Sequence, residues 1–245
     1  MATQQMAIAN IERIDIITEQ SPPAVLSFDT ASDASAEAQI SAGAEHELRI
    51  KNQILAQNIT EDIVKGFNIT FTDSTFSPDV FALVDGGEST VYDALDDDSG
   101  GSDEPAEAGF ARYTAPTAGE VVSRVRSSLA IYASEKDYDG NTLSYTAFLF
   151  PHAFGKPASV KFKDGEFFAP SYTVKSRPSK GQSPMTVLSL PSMPVIVRSG
   201  DDLPASPVRG KTVILTAADD IAGLGSIPAG EYAIFNGTTY SGISG

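Results

Sequence analysis

The chain has 245 residues, no cysteine, no tryptophan, and 32 acidic against 17 basic side chains, for a net charge of −15. Disulfides and thiolate metal or redox chemistry are thereby excluded, and a reader of duplex nucleic acid would lack the basic face it needs. The charge is uneven: residues 1–155 hold 8 cations and 25 acids, a net of −17, whereas residues 156–245 hold 9 and 7, a net of +2.

The opening MATQQMAIANIERID has no basic-then-apolar leader pattern, and no apolar run reaches the roughly 18 to 20 residues of a membrane helix. The expectation is a chain made in a cytoplasm that does not insert into a membrane. Residues 1–23, with Ile8, Ile11, Ile14, Ile16 and Ile17 set among polar side chains and a stiff Ser21-Pro22-Pro23 end, read as an arm or a first edge strand. Ala24–Phe28, Ala34–Ser41 and Glu47–Thr60 follow as strands, the last broken in phase by a bulge or bend.

Phe67, Ile69 and Phe71 alternate with Asn68, Thr70 and Thr72, the period of a strand with one buried face. A helix is predicted over about 77–86. Ser77 caps it, Pro78 takes the first helical position, Asp79 suits the positive end of the dipole, and Gly86-Gly87 supplies the left-handed stop. Phe76 packs on Phe81 as a hydrophobic staple.

Ser89–Tyr92 is a short strand. Asp93–Glu107 holds seven carboxylates, among them Asp93, Asp96, Asp97 and Asp98, and no cation, which reads as a solvated acidic loop rather than a calcium site. Gly109–Thr114, Val121–Ala133 and Thr142–Phe150 continue as strands. In Lys156–Pro178 a hairpin is expected, turning at Asp164-Gly165 with Phe162 opposite Phe167 and Lys163 beside Glu166. Met185–Leu190, Lys211–Thr216 and Glu231–Asn236 complete the strands. The fold class is mainly β, a β-sandwich or barrel with one short helix on the sheet. Residues 1–194 form the main domain with its N-terminal arm, and 195–245 a small C-terminal β segment or appended domain.

Candidate chemistry is sparse. His46 and His152 are the only imidazoles, so a catalytic triad or histidine metal site has little to draw on. His46 sits between two glutamates, as in an exposed turn, and His152 follows Pro151 at a strand end. Glu135–Gly140 imitates half of a calcium loop, but Thr146 stands where a bidentate glutamate is needed, and a turn explains the run better. No catalytic, cofactor or metal residue is assigned, and the chain is not read as an enzyme. The residues singled out are charged: Asp93, Asp96, Asp97 and Asp98 on one side, Lys161, Lys163, Lys175 and Arg177 on the other, and the resemblance given next implies that they are inter-subunit or lumen charges.

Three phrases, TFSPDVFALVDGG (75–87), YASEKDYDGNTLSYTAFLFPHAFG (132–155) and KPASVKFKDGEFFAPSYTVKSRPSKGQSPM (156–185), carry a resemblance to the major tail proteins, or tail tube proteins, of long-tailed, siphovirus-like bacteriophages. It covers roughly residues 24–194 and leaves the C-terminal 50 residues outside. The resemblance implies a β-sandwich protomer, hexameric rings stacked into a tube, and no cofactor. Its implied partners are other copies of the chain, a tape-measure protein in the lumen, tail terminator and tail-tip or baseplate proteins, and DNA in transit without sequence-specific binding. Its implied location is the virion tail, after assembly in the host cytoplasm. The competing reading from a different class is a ligand- or carbohydrate-binding β-sandwich module used in adhesion or decoration, against which the absence of tryptophan counts.

Overall fold

The computed structural model describes residues 6–20, 23–92, 110–122, 124–160, 162–165, 168–198, 203–215, 227 and 231–243. Among these the chain is mainly β with a single short helix. The main sheet has eight strands: β1 (Ile8–Thr18), β2 (Val25–Phe28), β3 (Ala31–Ser41), β6 (Ile63–Asp73), β9 (Ser127–Lys136), β10 (Thr142–Gly155), β11 (Ser171–Ser176) and β12 (Thr186–Leu190). They run in the order β2-β1-β9-β10-β11-β6-β3, with β12 also paired to β10. Between β3 and β6 the chain makes a separate hairpin of β4 (Glu45–Ile50) and β5 (Gln53–Ile59).

The sheet curls until β1 approaches β3. One core fills the concave side: Ile14 and Ile16 from β1, Ile69 and Phe71 from β6, Leu129 and Ile131 from β9, Phe150 from β10, and Tyr172 and Val174 from β11. Helix α1 (Pro78–Asp85) adds Val80, Phe81 and Val84 to that core. The local chemistry that starts and stops α1 is as its sequence dictates. The Ser77 hydroxyl accepts from the Val80 N–H at 3.5 Å, Pro78 opens the helix, and Gly86 closes it at φ 87° with its N–H donating to the Ala82 carbonyl at 2.8 Å. The Phe76 and Phe81 rings lie 5.5 Å apart, forming the staple. Asp85 then ties the helix end to its surroundings, accepting from the Tyr113 hydroxyl and, at 2.9 Å, from the Ala158 N–H. Tyr113 comes from β8 (Phe110–Thr114), which pairs with β7 (Glu88–Tyr92).

The convex side of β1, β9, β10 and β12 is covered by a second sheet, β13 (Val195–Val197), β14 (Thr212–Leu215), β15 (Tyr232–Phe235) and β16 (Tyr240–Ile243), in that order. Ile17, Ala130, Tyr132, Ala147 and Leu190 meet Ile214 and Tyr232 across this layer.

Several expectations are corrected. Residues 8–18 are not an arm but strand β1 of the main sheet, paired with β9 throughout and, over Ile14–Ile17, with β2 on the other side, where the isoleucines serve cores on both faces of the sheet. Glu47–Thr60 is not one bent strand but the β4–β5 hairpin, reversing at Lys51, whose φ is 55°. The strand expected over Val121–Ala133 begins only at Ser127, and Val121 is fully in solvent. The ladder expected across Asp164-Gly165 is not formed by the described residues. Gly165 makes the turn at φ 78°, Phe162 stacks on Phe168 at 5.1 Å, and the loop is closed lower down by a single bridge between Ser159 and Ser171. Its other predicted members, Glu166 and Phe167, lie outside the described residues.

Candidate assembly surface

The β3–β6 pair and the β4–β5 hairpin form one long excursion. Ser41 faces Ile63, the Thr60 N–H donates to the Ala44 carbonyl at 3.0 Å, and Glu45 then faces Ile59. At the junction Gly43 is obligatory for space, since a Cβ there would lie 1.6 Å from the Thr60 carbonyl oxygen. The Gly43 N–H donates to Asp62 Oδ1 at 2.7 Å and the Ala44 N–H to Thr60 Oγ1 at 2.6 Å, so the hairpin is pinned at its foot.

Beyond that foot it touches no core. Every residue of β4 and β5 is exposed. Eight large aliphatic side chains from this excursion stand in solvent: Ile40, Leu48, Ile50, Ile54, Leu55, Ile59, Ile63 and Val64, each between 49% and 65% exposed. They occupy both faces. Leu48, Ala56 and Ile50 alternate with Ile54 and Ile59, which share the other face with Glu47 and Arg49. Two strands without a covered face are marginal in water, and burying the exposed halves of these side chains against a partner would contribute on the order of 1 kcal/mol each.

The convex face at the hairpin's foot is polar. Strand register sets Glu37 opposite Asn68, Asn68 opposite Lys175, and Lys175 opposite Phe154, one transverse row across β3, β6, β11 and β10. Opposed residues project to the same side. Parallel rows hold Ser35, Thr70 and Thr173, then Asp33, Thr72 and Ser171. Arg177 follows Lys175 by two residues, and the Lys156 N–H donates to the Thr173 carbonyl at 2.9 Å, placing it on the same strip. Lys65 is the third residue of β6, directly after Ile63 and Val64.

Among the described residues, none of Lys65, Lys156, Lys175 and Arg177 forms an ion pair. The Lys175 ammonium is held below the ordinary lysine range, first by partial desolvation and then by the like charges of Arg177, Lys156 and Lys65.

The structure therefore brings together Lys175 and Arg177 of the charged candidates and adds Lys65 and Lys156. Lys163 is exposed on the loop before the 164–165 turn, away from any strand. Asp93, Asp96, Asp97, Asp98 and Lys161 lie outside the described residues. His46 is on the exposed hairpin. His152, at φ 49° in a bulge of β10, pairs with Glu19 at 2.8 Å. Asp137 closes the β9–β10 turn by accepting from the Asp139 and Asn141 N–H groups at 2.9 and 2.7 Å. Those bonds hold its carboxyl below the usual carboxylate range, the side-chain bond from Asn141 first. A cleft of about 440 Å³ between β9, β10 and β15 is lined by Ile17, Leu129, Leu149, Thr186 and Tyr232 among others, and none of its described lining residues carries a carboxylate, imidazole or amine. Sequence reading missed the hairpin surface itself. Its signal was present as aliphatic residues that fit neither strand period, at Ile50, Ile54 and Leu55.

No family model matches the chain, and no curated protein matches it. Among solved structures it is similar to the tube terminating cap of the anti-feeding prophage, at 11% identity and TM-score 0.38, over 77% of this chain and 95% of that one. A chain of the sheath–tube complex of an extracellular contractile injection system gives 10% and 0.38 over 75% and 92%. One from the anti-feeding prophage baseplate gives 9% and 0.34 over 77% and 96%. Values this low carry no functional argument, which rests instead on the surfaces of this chain.

Proposed function

We propose that this chain is a non-enzymatic structural subunit that assembles with copies of itself into hexameric rings, stacked as the tail tube of a bacteriophage-like particle. The observation that carries the proposal is the β4–β5 hairpin with its foot: an ordered element, pinned at its base, that places eight aliphatic side chains in water. A monomer gains nothing from such a surface, whereas an assembly buries it.

The resemblance of residues 75–87, 132–155 and 156–185 to tail tube proteins supports the same reading. Under it, residues 1–194 make the ring-forming module and 195–245 an appended sheet. Asp93, Asp96, Asp97 and Asp98 would act with Lys161, Lys163, Lys175 and Arg177 at interfaces or the lumen wall. The lumen would hold a tape-measure protein and later pass DNA without sequence-specific contact. Terminator and tail-tip or baseplate proteins would cap the tube in the virion.

Negative-stain electron microscopy of the purified full chain at rising concentration tests the proposal. Rings or tubes of uniform diameter with six-fold end views are expected. A chain that stays monomeric at every concentration, alone and with tail-tip components added, would overturn it.

A further inference from the structure

The cation strip at the foot of the hairpin is out of keeping with a chain of net charge −15. Lys65, Lys156, Lys175 and Arg177 converge on one rigid sheet face, and among the described residues none meets a carboxylate. The nearest acid in the same row is Glu37, and it lies two strands away, about 10 Å at the spacing of hydrogen-bonded strands. Across that separation Glu37 and Lys175 form no ion pair within the molecule. Both charges are left unspent.

Glu37 and Asp33 stand on β3, and β3 ends the sheet. The strand is 11 residues long, reads ASDASAEAQIS, and contains none of the lysines or prolines that usually block an edge. The acids thus sit where a neighbour can reach them, and the cations sit beside Ile63 and Val64, where the exposed hairpin begins.

We infer that the strip formed by Lys65, Lys156, Lys175 and Arg177 is the docking site for the acidic edge strand β3 of a second copy, whose Glu37 and Asp33 meet Lys175 and Arg177. The inference rests on the self-assembly reading and specifies its interface. An interface that closed over the hairpin's foot would take these cations out of water, which is costly unless carboxylates meet them. Donor and acceptor are different surfaces, so each copy uses both once and the contact propagates head to tail, as a ring requires. Nucleic acid is the less favoured partner. Four cations with a carboxylate in the same transverse row, on a chain this acidic, are a poor match for a phosphate backbone, whereas the matching carboxylates are present on the chain itself.

A charge-reversal cycle on the full chain tests this. Lys175→Glu with Arg177→Glu, and separately Asp33→Lys with Glu37→Lys, should each raise the concentration needed for assembly about tenfold or more. The chain carrying all four changes should return to within about threefold of wild type. Thermal melts check folding, and the milder Lys175→Gln with Arg177→Gln variant, expected to weaken assembly and its salt dependence together, serves if a reversed chain does not fold. Assembly unchanged in either pair, or no recovery in the fourfold variant, overturns the inference. So does loss of binding to a labelled single-stranded oligonucleotide in K175E/R177E with assembly intact, which would assign the strip to nucleic acid. A wild-type chain that never assembles overturns the self-assembly reading instead.

Discussion

The Tyr132 hydroxyl lies 2.5 Å from the Tyr232 hydroxyl, and this pair fastens the C-terminal sheet to the curled one. Tyr132 is fully buried and Tyr232 almost so. Arg13 completes the junction. Its guanidinium carbon sits 4.9 Å from the centre of the Tyr132 ring, Nη1 donates to the Pro194 carbonyl at 2.8 Å, and Nη2 pairs with buried Asp15 at 2.8 Å. Removing either hydroxyl strands the other in an apolar layer. Tyr132→Phe and Tyr232→Phe should each destabilise by about 1 to 2 kcal/mol, while the double variant costs clearly less than the sum. Urea denaturation of the four proteins reads this directly. Strict additivity would mean that the two hydroxyls do not interact.

The same tyrosines set an alkaline limit. Burial, as the first cause, pushes Tyr132 and Tyr232 up from 10, and Tyr172 is pushed up to about 12 by burial and then by the charge of Asp73. All three stay neutral in the folded chain where the unfolded chain ionises near its ordinary value. The unfolded state therefore binds fewer protons above pH 10. The stabilisation is fully present below pH 10 and is lost as pH rises through the folded-state values. Urea midpoints at rising pH should fall from about pH 10, and less steeply in Tyr132→Phe/Tyr232→Phe. Parallel wild-type and variant curves would contradict the assignment.

Two glycines should behave oppositely. A Cβ on Gly155 would lie 1.8 Å from the Val84 carbonyl oxygen, where β10 passes under α1, so Gly155→Ala must push the helix off its core and should cost about 3 kcal/mol or more. Gly165 has open space around it and only its φ of 78° to constrain it. Gly165→Ala should cost about 1 kcal/mol, and Gly165→Val somewhat more, without loss of the fold. Melting temperatures of the variants rank these effects. A larger loss at Gly165 than at Gly155 would mean that the helix contact has been misjudged.

What the sequence disclosed follows from how local the cause is. Helix α1 was legible because Ser77, Pro78 and Gly86 each act within one turn, and β6 because Ile69 and Phe71 face a core while Asn68 and Thr70 do not. Strand β1 was misread because Ile16 and Ile17 serve cores on opposite sides, which erases the alternation a one-sided strand shows. The turn at Asp164-Gly165 was legible from its glycine, but Phe162, expected in a paired strand, instead stacks on Phe168. The β4–β5 reversal has no glycine at its left-handed position, only Lys51. Of the charged candidates, Lys175 and Arg177 could be named from composition, but their company with Lys65 and Lys156 depends on register across three strands, which no local pattern encodes.

In the proposed assembly, copies of this chain meet through the β4–β5 hairpin. Because Leu48, Ile50 and Ile54 contribute nothing to the core, Leu48→Ser/Ile50→Asp/Ile54→Asp should leave the melting temperature of the protomer within a few degrees of wild type while abolishing assembly. Light scattering and negative-stain images of both proteins across the same concentration range make the decisive comparison. Rings and tubes from wild type with only folded monomers from the variant are the predicted result, and rings and tubes of equal abundance from the two proteins would contradict the account.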